Sequence, residues 1–181
     1  MSSATAVNPA TTEGFTEATL AAFLRGRAEP AWLSQRRRDA FATFLATPLP
    51  SARDEEWRRT DIRAFKLNAF EPPAAGPAGA AESAAIEPLY QALATHYATG
   101  IAQVNGAVTR TADPARLGGA VFIDLATAAK EHPALLERFL LTQAVSASAD
   151  AFSALHGAFW TGGTLLYVPK GVKVEAPLFS L

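Results

Sequence analysis

The stretch GGTLLYVPKGVKVEAPLFSL, residues 162–181, constrains the fold of this chain more than any other. Thr164 to Val168 is β-branched and aromatic, Pro169 and Gly171 suit the second and fourth positions of a turn, and Val172 and Val174 alternate with Lys173 and Glu175. The pattern predicts strand, turn, strand, with Gly162 and Gly163 bending the chain sharply out of a helix. Two short strands alone are marginal in water, and APLFSL adds a further apolar run with no charged or turn residue to blunt its edge. Such an edge requires more chain or a partner, and an isolated fragment is expected to homodimerise through it.

Upstream, the chain reads mainly as helix. In FTEATLAAFLR, Leu20, Phe23 and Leu24 share a face, Thr16 is the expected N-cap, Phe15 is placed to staple onto Leu20, and Gly26 ends the run. A second helix is expected from Pro30 to the break at Pro48, burying Leu33, Ala40, Phe41, Phe44 and Leu45. Its Arg36, Arg37 and Arg38 splay over the helix circumference and read as a solvated face with partner contacts. In DEEWRRTDIRAF, Trp57 is expected to dock its ring while Glu55, Glu56, Arg58 and Arg59 stay wet, and the adjacent glutamates do not face one another as an acid–base pair would.

Residues 71–85, EPPAAGPAGAAESAA, lack an apolar period and read as linker. Ile86, Leu89, Tyr90, Leu93 and Tyr97 then fall at helical spacing, Asn105-Gly106 predicts a type I′ hairpin, and Gly118-Gly119 introduces the strand AVFID, with Asp124 as cap of the next helix. Pro133 opens PALLERFLLTQAV, and Ser148 or Asp150 opens a helix with Phe152, Leu155 and Phe159 on one stripe.

Composition narrows the chemistry. A formal net charge of −1 and a pI near 6.3 provide no basic field for nucleic acid or anionic membrane. Residues 1–14 lack the charged and apolar regions of a secretion signal, and no apolar run is long enough to span a bilayer, so a cytoplasmic location is expected. The sequence has no cysteine, which removes disulfides, thiolate ligation and cysteine nucleophiles together. His96, His132 and His156 are scattered without ligand spacing.

The segments EPAWL, DEEWRRTDIRAF, VNGAV, HPAL and DAFSALHGAFWTGGTLLYVPKGVKVEAPL, in this order, resemble the N-terminal part of the SufB/SufD family, scaffold subunits of the SUF iron–sulfur cluster assembly system. EEWRRTDI and GGTLLYVPKGVKVEAPL are the most specific of them. The resemblance implies an α+β fold: a mainly helical N-terminal region with a few short strands, leading into the first rungs of a right-handed parallel β-helix. The expected organisation is a helical region over 1–70, the linker 71–85, an α/β segment over 86–160 and the truncated start of the β-helix over 161–181.

The resemblance further implies a non-catalytic subunit that pairs with a SufB-like relative and a SufC-like ABC ATPase, mostly through regions beyond Leu181. It implies no cofactor in this chain, the iron–sulfur cluster being assembled by the complex. PKGVKVEAP lacks the cysteine that SufB commonly carries there, which favours the SufD branch. Glu56, Trp57, Arg58, Thr60 and Asp61 match the N-terminal signature, and Gly162, Gly163, Tyr167, Pro169, Lys170 and Gly171 match the β-helix threshold; both sets are expected to serve the fold. Two alternatives stand beside this reading. GGTLLYVPKGV also resembles the strand rhythm of a cupin, which would need converging histidines, and a helical adaptor could add its last strands to another sheet.

Overall fold

The computed structural model describes residues 14–72, 76–97, 99–175 and 177–181. They form two compact units, each drawn from separate stretches of chain: residues up to 72 with 134–160, and residues 76–133 with 161–181. Contacts therefore do not follow the expected division at 86–160, because residues 134–160 pack onto the N-terminal helices.

In the first unit, α1 (Glu17–Arg25) starts where the Thr16 hydroxyl accepts from the Thr19 amide, and the Thr19 hydroxyl accepts in return from the Thr16 amide. Gly26 caps its C-terminus as expected, in a right-handed conformation. Pro30 precedes α2 (Ala31–Ala46), which buries Leu33, Ala40, Phe41 and Phe44. The later stretch supplies α5 (Pro133–Phe139) and α6 (Ala151–Phe159). Gly157 lets α6 lie close to α2, since a Cβ there would stand 3.0 Å from the Ala40 Cβ. Phe159 centres the core, its ring edge-to-face with Phe15, Phe23 and Phe41 at 5.2, 5.3 and 5.6 Å. Each such pair adds about 1 kcal/mol to the burial of its rings.

Several expectations change here. α6 buries Ala151, Ala154, Gly157 and Ala158 with Phe159, while Phe152 and Leu155 are only half-buried. Short side chains let two backbones approach, so close packing replaced the bulky stripe. α5 ends at Phe139, short of the run that PALLERFLLTQAV predicts, where Leu141 takes a left-handed φ of 53°. The arginine run is not a solvated face: Arg38 is exposed, Arg36 is half-buried and Arg37 is fully buried.

In the second unit, α3 (Ala80–Ala94) begins inside the tract expected to be linker. Glu82 reaches back to accept from the Gly79 amide at 3.0 Å, and the alanines supply propensity where no apolar period exists. Leu89, expected on the buried face of α3, is exposed beside Pro88. The hairpin forms as the sequence requires: β1 (Thr99–Val104) and β2 (Ala107–Arg110) pair antiparallel around Asn105 and Gly106, both at positive φ. Asp124 ends β3 (Val121–Asp124) and accepts from the Thr127 amide to cap α4 (Leu125–Glu131).

The C-terminal stretch adopts strands with partners other than those expected. β4 (Thr164–Tyr167) runs antiparallel to β3, and β5 (Leu178–Ser180) runs parallel to β1, giving the order β2-β1-β5. A turn forms one residue later than expected: the Val172 amide donates to the Pro169 carbonyl, so Pro169 and Gly171 take its first and third positions, Gly171 at φ 85°. Residues 172–175 form no strand, so the expected hairpin is absent; Val172 and Val174 instead pack against Ile101, Leu117, Ala120 and Phe122. The architecture is α+β, helices with a few short strands, and no β-helix is shown by the described residues. Leu181 is not left loose: its amide donates to the Ile101 carbonyl and its carbonyl accepts from the Gln103 amide.

Candidate functional site

The two signature groups lie in different units and their surroundings differ. Around the first, residues 51–70 form only short 3₁₀ turns, Glu55–Trp57 and Leu67–Ala69, with Leu67 the buried residue. Glu56, Arg58, Thr60 and Asp61 are exposed, and Trp57 is half-buried with its ring 5.4 Å from that of Phe152. Trp57 thus docks by its ring among wet charges, as expected. Arg58 pairs with Glu55 at 3.6 Å across the turn. Asp61 accepts from the Arg63 guanidinium at 2.7 and 2.9 Å and from the Arg63 amide, which hold its carboxyl down at about 2. Aromatic rings continue along this surface: Phe65 stands edge-on to Phe152 and stacks on Phe70 at 5.4 Å, with Phe65 and Phe70 both exposed.

The second group is built around a side chain that the sequence did not single out. The Gln103 amide of β1 pairs with one residue in both directions, donating to the Gly163 carbonyl and accepting from the Gly163 amide, each at 3.0 Å. A Cβ on Gly162 would collide with Gln103 Oε1 and the Gly106 Cα, and Gly163 takes a φ of 149° against Leu125. The glycines therefore serve a close approach as well as a bend. Tyr167 and Lys170 are exposed, and Pro169 is half-buried. Lys170 sits at the tip of the turn.

A buried arginine is the other feature that sequence reasoning missed. Arg37 Nη1 donates to the carbonyls of Ala158 at 3.0 Å and Trp160 at 2.9 Å, its fork grips Glu29 at 2.8 and 2.9 Å, and its guanidinium lies 4.0 Å above the Trp160 ring. Burial pushes its pKa down, partly offset by Glu29. Arg36 Nη1 donates to the carbonyls of Leu136 and Leu140, and its Nη2 to that of Glu137. Glu29, eight positions before Arg37, was the signal available: a buried cation needs a nearby anion.

His96 and His156 are exposed and His132 is half-buried, and among the described residues no three His, Cys, Asp or Glu groups come together as a metal site. No described helix is long and apolar enough to cross a membrane.

A family model described as the SufBD protein N-terminal region matches residues 24–179. The iron–sulfur cluster assembly protein SufD of Bacillus subtilis is 43% identical over 60 residues, which are 33% of this chain and 14% of that protein. SufB of the same organism is 42% identical over 60 residues, 33% of this chain and 13% of its own length. A SufBD family protein of Mycobacterium bovis is 42% identical over 60 residues, covering 33% of this chain and 7% of the relative. The matched stretch is thus a small part of each relative. Because the family model spans both units and both signature groups, the chain belongs to the SufBD family, as its N-terminal region.

Proposed function

We propose that this chain is the N-terminal region of a non-catalytic scaffold subunit for iron–sulfur cluster assembly. The observation that carries the reading is the family match across residues 24–179, joined to relatives whose names describe cluster assembly proteins. Within the family we assign it to the SufD side. The absence of cysteine supports that choice, because a chain without thiolates has no sulfur atom on which to receive a persulfide or hold iron.

In this reading the partners are a SufB-like subunit and a SufC-like ABC ATPase in the cytoplasm. The cluster is cargo of the complex, and this region holds no cofactor of its own. Continuation into a parallel β-helix belongs to the same proposal: β5 already pairs parallel with β1 and presents an outer edge on which another strand can add.

The test is co-expression of the full-length gene product with the SufB-like and SufC-like proteins of its own organism, with an affinity tag on this subunit alone. Retention of both partners at near-physiological salt is the expected result. A clean monomer retaining neither partner overturns the reading.

A further inference from the structure

We propose that Arg36 and Arg37 form a double latch on α2, each arginine holding a different helix of the 134–160 strap, so that the strap opens in two separately controlled steps. α5 and α6 have 7 and 9 residues, too short to persist as isolated helices in water. Their stability comes from docking, and the apolar part of it is uneven: large for α6 through Phe159, small for α5. α5 buries Leu136 alone, and the α6 face is alanine and glycine except for Phe159. Methyl groups bring little area out of water, so beyond the Phe159 ring directional contacts add to the attachment.

Those contacts come from neighbouring residues that point to different places. Arg36 takes the carbonyls of Leu136, Glu137 and Leu140, where the ladder of α5 runs out. Arg37 takes the carbonyls of Ala158 and Trp160, where α6 runs out. Carbonyls at a helix C-terminus run short of amide partners and carry partial negative charge, so a guanidinium satisfies both needs; of those held here, the Leu136 carbonyl also accepts from the Leu140 amide. Arg37 does this while fully buried, with Glu29 neutralising it and the Phe23 and Trp160 rings covering its faces at 5.3 and 4.0 Å. Removing it takes the guanidinium from the Ala158 and Trp160 carbonyls and leaves Glu29 with Arg27 alone at 3.8 Å, whereas the partners of Arg36 stay served.

Hydrogen exchange by mass spectrometry on the full chain separates the two latches. In Arg36→Met, exchange within 133–140 is expected to accelerate about tenfold or more while 151–160 changes by less than about twofold. In Arg37→Met, the pattern reverses, with 151–160 accelerating and 133–140 unaffected. Glu29→Gln provides a milder route to the second latch and should accelerate 151–160 selectively, which decides the matter if Arg37→Met does not fold. Arg36 is half-buried, so its variant is expected to fold and its arm stands alone. Acceleration of both helices together with α1 in either single variant, or no acceleration in its own helix, overturns the proposal.

Discussion

Gly162 shows how little a residue type reveals without its neighbours. The glycine pair was legible as a place where the chain turns, yet the space a Cβ would need is taken by Gln103 and Gly106, residues brought there by the hairpin. Gly162→Ala is expected to destabilise the fold by about 2 kcal/mol in urea unfolding, through displacement of the Gln103 amide from Gly163. Gln103→Ala should cost about 1–2 kcal/mol by leaving the Gly163 amide unpaired, the Gly163 carbonyl keeping the Leu125 amide, and combining it with Gly162→Ala should cost less than the sum. Additive losses would show that the two do not act through one contact. Asp61 behaves differently, since its partner lies two positions away and the pair was there to be read. In Arg63→Ala its carboxyl should titrate upward from about 2 towards the ordinary aspartate range, followed by carbonyl-carbon NMR. The folded value is the depressed one, so the pairing is present above the ordinary range and lost as pH falls through about 2.

At the scale of elements, caps and turns were the legible part because each depends on residues within a few positions. Thr16, Gly26, Asn105-Gly106 and Asp124 all act where the sequence placed them. Asp150 is the same kind of signal: its carboxylate accepts from the Phe152 and Ser153 amides and the Ser153 hydroxyl, and the Ser153 amide is first among the contacts that lower its pKa. Asp150→Ala should lower stability by about 1 kcal/mol near neutral pH. Because the folded pKa lies below the unfolded one, this increment is complete above about 4 and disappears as pH falls through the depressed value. Denaturation of both proteins across acidic pH should therefore show the gap closing; a constant gap would mean that the charge of Asp150 contributes nothing. Buried faces were less legible. In α6 Phe152 and Leu155 lost the core to alanines while Phe159 kept it, because the Gly157 approach to α2 favours small side chains there.

The whole molecule is interleaved, with each unit built from segments far apart in sequence. In the second unit β5 closes the sheet onto β1, and Phe179 lies over Gly100 with Tyr90 and Tyr97 at 5.2 and 5.4 Å. Deleting residues 177–181 should remove the exchange protection of the Gln103 amide, which donates to Leu181, and lower the melting midpoint by several degrees. An unchanged midpoint and unchanged protection would mean that β5 adds nothing to the sheet. The sequence by itself determined the helix starts at Thr16, Pro30, Asp124 and Asp150, the Asn105-Gly106 hairpin, the α+β class and, through EEWRRTDI and GGTLLYVPKG, the family, because these depend on local backbone preference or on matching short motifs. Tertiary structure alone decided that β4 pairs with β3 and β5 with β1, and that Arg37 is a buried clamp rather than a wet cation. Strand partners and buried charges are chosen by long-range complementarity: an edge accepts whichever strand packs best against the core, and a guanidinium can be buried only where an anion and free carbonyls converge.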